Sequence, residues 1–182
     1  MKEDQIQHLI NQCRRNDRLA QHRLFNQYVK AMYNTALRLM KNEHDAHDIV
    51  QEGFIKAFTK IDQYRNDANF GAWLKRIMVN TALDKLKQNS PEFTNLQVAI
   101  ENSTIDEPEI SEFPSSQVIN NEIRKLPEGC RVIFTLYQME GYEQAQIATE
   151  LGVSVSTVKT QYRRARLLLK ERLMILKNEG QF

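Results

Sequence analysis

Tyr142-Glu-Gln-Ala-Gln-Ile-Ala-Thr-Glu-Leu-Gly-Val-Ser154, running on into Val155-Ser-Thr-Val-Lys-Thr-Gln-Tyr-Arg-Arg-Ala-Arg166, is the most decisive stretch of the chain. Ile147, Ala148 and Leu151 have the spacing of a short buried helix face, and Gly152 supplies the left-handed residue that ends it. Ser154 can accept hydrogen bonds from the first free amides of a second helix, which continues through Val158, Tyr162, Ala165 and Leu169. A short helix, a glycine turn and a longer basic helix make a helix-turn-helix, the arrangement whose second helix enters the major groove of DNA. Ala148 is small enough for the helices to approach closely, and Val158 anchors the second to the first. The free face then presents Ser156, Thr157, Lys159, Thr160, Arg163 and Arg164, hydroxyl and cationic donors suited to base edges and phosphates. Arg166, Lys170 and Arg172 extend the positive surface. The bland reading of the same residues is a basic, solvated helix end.

Working outward, the residues before this motif are also helical. One helix is expected from about Gln117 to Leu126-Pro127, and another from about Pro127 to Glu140, stopped by Gly141. At the other end of the chain, Leu19, Arg23, Phe25–Tyr28 and Ala36–Met40 form an amphipathic pattern with Val29, Met32 and Tyr33. Asp45 opens a segment in which Ile49, Gly53, Ala57 and Ile61 form an i,i+4 ridge flanked by Val50, Phe54 and Phe58. After a turn-like stretch from Asp62 to Asn69, a third helix begins near Phe70, with Leu74, Met78, Ala82 and Leu86 along one edge. No segment alternates with period two, so the expected fold is all-α: two small helical domains, the second containing the helix-turn-helix.

Between the two lies a segment of different chemistry. Residues 90–116 hold six acids, no Lys or Arg, and three of the four prolines. Proline removes a backbone donor, and no helical or strand period survives here, so 90–116 reads as a flexible acidic linker extended by self-repulsion. Residues 1–89 carry 15 Lys/Arg against 10 Asp/Glu, and residues 117–182 carry 10 against 7. Two basic blocks on an acidic tether suit two modules facing a polyanion, although solvated helix surfaces explain the charges as well. The chain has 182 residues, 41% hydrophobic and 26% charged, enough to bury real cores and too much to remain wholly disordered. No run approaches the length of a membrane-spanning helix, and residues 1–30 lack the apolar core of a secretory signal. Cys13 and Cys130 do not make a disulfide framework, and a reducing cytoplasmic setting is expected.

The N-terminal block offers a second constellation. Tyr64, Phe70 and Trp73 fall within ten positions, interleaved with Arg65, Lys75 and Arg76 and followed by Asn80. Rings stack on unpaired bases, cations neutralise phosphate and an amide reads a base edge. The competing reading is that Phe70 and Trp73 are core. Asp45, Asp48 and Glu52, with His44 and His47 nearby, make a metal site conceivable, but all come from one helix and no second ligand pair exists, so no metal is expected. Carboxylates at a helix start also favour its dipole. There is no phosphate-binding glycine loop and no Gly-x-Ser-x-Gly, so neither a cofactor nor catalysis is expected.

Two stretches, Asp45-Ala-His-Asp-Ile-Val-Gln-Glu-Gly-Phe-Ile-Lys-Ala-Phe58 and Phe70-Gly-Ala-Trp-Leu-Lys-Arg-Ile-Met-Val-Asn-Thr-Ala-Leu-Asp-Lys-Leu86, resemble conserved region 2 of bacterial extracytoplasmic-function sigma factors. Leu126-Pro-Glu-Gly-Cys-Arg-Val-Ile-Phe134, with the stretch from Glu140 to Arg166, resembles their region 4. The likeness covers roughly residues 18–88 and 118–175, in the right order, and departs at Tyr64-Arg-Asn-Asp67, where a basic or glycine-containing stretch is common, and at Gln146, where Glu is frequent. It implies a protein that binds core RNA polymerase and directs it to promoters. By position, Asp48, Gln51 and Glu52 would then face the β′ clamp helices. Tyr64, Arg76 and Asn80, with Phe70 and Trp73, would capture unstacked bases of the −10 element. The 156–166 helix would read the −35 element, while region 4 also meets the β-flap. An anti-sigma factor is the further partner that the resemblance implies. The rival reading is a stand-alone helix-turn-helix regulator with a helical partner-binding domain, which binds intact duplex and needs no polymerase.

Overall fold

The structure, a computed structural model, describes residues 3–65, 69–89 and 115–180. These are helical, with no strand among the described residues, so the all-α expectation is met. The acidic linker read at 90–116 lies almost wholly outside the described residues, as do Asn66 and Asp67 of the turn-like stretch. The chain divides into two compact units, the first ending at Gln88.

The first unit opens with a helix absent from the sequence reading, α1, Glu3–Cys13. It buries Leu9, Ile10 and Cys13 against α2, Arg18–Met40, the longest helix of the unit. Asp17 caps α2, its Oδ1 accepting from the amides of Leu19 at 2.8 Å and Ala20 at 3.1 Å. Next comes α3, Glu43–Thr59, capped by Asn42, whose Oδ1 accepts from the Asp45 amide at 2.8 Å. A short 3-10 turn, Ile61–Gln63, follows, and α4 spans Phe70–Asn89. Ring contacts bind the bundle together: Phe25 meets Phe54 across α2 and α3 at 4.7 Å, and Tyr28 meets Phe70 across α2 and α4 at 5.4 Å. Gly53 sits where α3 packs on α4: a Cβ at this position would overlap the end of the Met78 side chain, and Met78 is itself buried in the core.

In the second unit the described residues resume at Ser115, which caps α5, Ser116–Arg124. The next helix, α6, is regular only over Glu128–Phe134 and then widens into a π-helical turn, Thr135–Met139. The sequence suggested one continuous helix to Glu140. The extra residue per turn brings Tyr137 and Gln138 together onto Tyr162: the two tyrosine rings lie 4.7 Å apart, and Tyr162 donates to Gln138 Oε1 at 2.8 Å. Then follow α7, Gln144–Leu151, and α8, Val155–Asn178. Ile123, Leu126, Cys130, Ala165 and Leu169 form one core cluster under α5, α6 and α8. Within it the Cys130 thiol donates to Oε1 of the buried Gln161 at 3.0 Å, a polar pair that joins α6 to α8.

Candidate nucleic-acid interface

The turn between α7 and α8 is built as its sequence demands. Gly152 has φ of +67°, and the amide of Val153 reaches back to the carbonyl of Ala148 at 3.0 Å, closing the helix end. Gln146 accepts from the Glu143 amide at 3.0 Å, so its side chain serves as the α7 cap acceptor, a task an amide oxygen performs as well as a carboxylate. Ser154 Oγ accepts from the Thr157 amide at 3.1 Å. Ile147, Ala148, Leu151 and Val158 are buried, which fixes α8 against α7.

On α8 this support leaves Ser156, Lys159, Arg163 and Arg164 exposed, with Thr157 and Thr160 half-buried beside them. The hydroxyls and the cations then separate in role. Ser154 Oγ lies 2.7 Å from Ser156 Oγ and 2.8 Å from Thr157 Oγ1, and Thr160 donates to the Ser156 carbonyl at 2.9 Å. The hydroxyls are thus engaged in finishing the helix start. Lys159, Arg163 and Arg164, one or two turns on, are the outward charges, and Arg can pair bidentately with guanine while Lys meets phosphate as a point charge.

In the first unit the aromatic constellation splits. Tyr64 and Phe70 are only 4% and 3% exposed. Their rings meet edge-on at 5.4 Å, and Trp73 lies 5.5 Å from each. Of the three rings expected to stack on bases, two are therefore enclosed, because α2 supplies Tyr28 as a further wall. Only Trp73, half-buried, reaches the surface, resting on a floor made by the other two. Arg76 is exposed one helical turn along. Asn80, a further turn along, is half-buried, and its Oδ1 is inaccessible and has no hydrogen-bond partner among the described residues. A buried acceptor left unpaired costs about 1–3 kcal/mol.

The face of α3 carrying Asp48, Gln51 and Glu52 is exposed. Asp48 Oδ2 pairs with Lys85 Nζ at 3.0 Å and Glu52 with Lys56 at 2.7 Å, surface pairs worth little and readily exchanged for a partner's charges. Ile55 stands on the same face at 66% exposure, three and four positions beyond Glu52 and Gln51. Sequence reasoning missed it, although its place off the buried ridge of Ile49, Gly53 and Ala57 was the available signal. His44, Asp45 and Asp48 do come within 4.8 Å of one another. The positive charge opposite them is Lys85, 2.8 Å from Asp45 Oδ1, and its hydrogen bond, with a second from Asn42, holds the Asp45 carboxyl below its ordinary value. Among the described residues, no helix is long and apolar enough to cross a membrane.

Residues 24–92 match the family description Sigma-70 region 2, and residues 116–169 match Sigma-70, region 4. These two modules in this order define the class: a two-domain sigma subunit of the sigma-70 type. The chain is 31% identical to the ECF RNA polymerase sigma-E factor of Escherichia coli, covering 90% of both chains. It is 27% identical to the ECF RNA polymerase sigma factor SigW of Bacillus subtilis, covering 92% of this chain and 96% of the relative. Among solved structures, the sigma factor RpoE in complex with the anti-sigma factor NepR from Bartonella quintana superposes with a TM-score of 0.54 at 23% identity, covering 85% of this chain and 96% of that one. The chain belongs to the extracytoplasmic-function RNA polymerase sigma factors.

Proposed function

We propose that the chain joins core RNA polymerase as its promoter-specificity subunit, grips the −35 element as duplex through α8, and captures −10 bases as the strands part. Lys159, Arg163 and Arg164 read or clamp the upstream duplex, supported by the hydroxyls of Ser156, Thr157 and Thr160. Trp73 offers the stacking surface, Arg76 the phosphate contact and Asn80 the amide for an extruded base, while Tyr64 and Phe70 hold the Trp73 ring in place. Captured bases offset the few kcal/mol of stacking lost on melting. Asp48, Gln51 and Glu52, with Ile55 as an apolar anchor, form the face for the polymerase clamp, and the second unit meets the flap. The chain is itself no enzyme: the chemistry belongs to the polymerase, and the setting is the cytoplasm. The Bartonella quintana relative is held by an anti-sigma factor, and the same class of partner is inferred here.

The observation that carries this reading is the half-buried Trp73 ring on its floor of Tyr64 and Phe70, with exposed Arg76 one turn along α4 and half-buried Asn80 two turns along. The deciding experiment combines the protein with core polymerase and linear DNA bearing a promoter selected by that holoenzyme from random-sequence duplex. Initiation without any other sigma factor is expected. Retarded duplex with no initiation would instead mark a stand-alone helix-turn-helix regulator.

A further inference from the structure

We propose that Arg14, outside both family-matched segments, is a positioning residue for the opened-strand surface: it holds the peptide from which the Tyr64–Arg65 segment leaves the core. This rests on the function proposed above. Arg14 lies in the turn after α1, a turn fixed by its own hydrogen bonds: the Asn16 amide reaches the Cys13 carbonyl at 2.9 Å, and the Asp17 amide reaches the Gln12 carbonyl at 3.2 Å. From there the guanidinium spreads three ways. Nη2 donates to the Tyr64 carbonyl at 2.7 Å, Nη1 donates to Asn11 Oδ1 at 3.2 Å, and Nε lies 3.9 Å from Asp62 Oδ1. The first is short and charge-assisted and joins residues 50 apart in the chain. The last is long and exposed, and contributes little.

Tyr64 is consequently held at both ends. Its ring is enclosed with Phe70 and Trp73, and its carbonyl is fixed by a cation from α1's far end. Fixing the ring does not by itself fix the peptide plane, and that plane sets the direction in which Arg65 emerges. Arg65 is exposed, and the described chain resumes at Asn69, whose Oδ1 accepts from the Gly71 amide at 2.8 Å as α4 begins. Arg14 thus fixes the described chain where it leaves the core at Tyr64, and Asn69 caps it where α4 begins. An arginine suits the task because its planar fork reaches the carbonyl and Asn11 together, and a lysine ammonium, a point donor, holds only one geometry at a time.

The test uses the holoenzyme reconstituted with wild type, Arg14→Ala or Arg14→Lys on the same selected promoter, reading closed-complex binding and strand opening separately. A second reading measures binding of the holoenzyme to a short single-stranded oligonucleotide carrying the melted −10 sequence. Arg14→Ala should lower opening and oligonucleotide binding by about tenfold, the size of one lost charge-assisted hydrogen bond, with closed-complex binding within about twofold. Arg14→Lys should fall between the two. Should Arg14→Ala lower the thermal midpoint, Arg14→Lys read at matched folded fraction decides by the same split. Equal losses in closed and open complexes, or no loss at all, would overturn the positioning role. A wild-type holoenzyme that opens no promoter would instead overturn the function on which it rests.

Discussion

The two surfaces proposed to face DNA are built on opposite plans. In the second unit the groups proposed to meet DNA stand outside a finished motif: α7, the turn and the start of α8 satisfy their own amides and hydroxyls, and Lys159, Arg163 and Arg164 project beyond them. In the first unit the surface is the exposed end of the core itself. Trp73 lies on Tyr64 and Phe70, and Asn80 keeps an unpaired oxygen inside. A duplex presents its phosphates and base edges ready-made, so a stiff helix with outward charges is enough. An extruded base is itself a flat apolar object with a polar rim, and it calls for a site resembling a protein interior.

That contrast can be broken by substitution. The largest effect is expected from Arg163→Ala combined with Arg164→Ala, at about 100-fold in binding to the upstream duplex, since each base or phosphate contact is worth roughly 1–3 kcal/mol. Unchanged promoter preference in a competition assay would end the role of α8 as reader. Asn80→Ala comes next, at about tenfold in strand opening with closed-complex binding nearly intact, because its proposed partner is exposed only once the strands part. Footprinting with a single-strand-specific reagent separates the two, and equal losses would show that Asn80 serves the fold alone.

Smaller effects sharpen the same comparison at the level of the scaffold. Gly152→Ala should cost about 1–2 kcal/mol in denaturant unfolding of the second unit, the charge for a left-handed alanine with no atom near its Cβ. Gly53→Ala acts through packing instead. Overpacking against Met78 costs roughly 1–3 kcal/mol, the gain in helix propensity returns about 1, and a net loss near 1 kcal/mol is expected in the first unit. The smallest effect concerns pH. Asp45 titrates below its ordinary 3.8 through its hydrogen bonds to Lys85 and Asn42. Its contribution is fully present above that value and fades as pH falls through the depressed one. Acid unfolding of Lys85→Met compared with wild type should therefore differ at neutral pH and converge in strong acid. A constant difference would place the Lys85 effect elsewhere.

The helix-turn-helix was legible because every determinant is local: the i,i+3 and i,i+4 spacing of Ile147, Ala148 and Leu151, then Gly152, then Ser154. At Gln146, a departure from the family pattern, the structure places the acceptor that completes the α7 cap. The first unit was legible as helices but less so as a surface. Spacing places Tyr64, Phe70 and Trp73 together without saying which ring faces inward, because that depends on Tyr28, some forty residues away in sequence. α1 was missed although Ile6, Leu9, Ile10 and Cys13 carry the helical period, since the family likeness begins only near residue 18. The π-helical turn at Thr135–Met139 left no local mark, being drawn out by contacts with Tyr162. The link from Arg14 to Tyr64 joins a side chain to a distant carbonyl, and no periodicity records such a bond.

Trp73 is the sole indole of the protein. Its position, half in contact with solvent and half on a tyrosine and a phenylalanine, makes it a built-in optical probe. A nucleobase laid on that ring, as proposed, would quench its emission, so capture of a base by the isolated chain can be read in native protein without any attached dye.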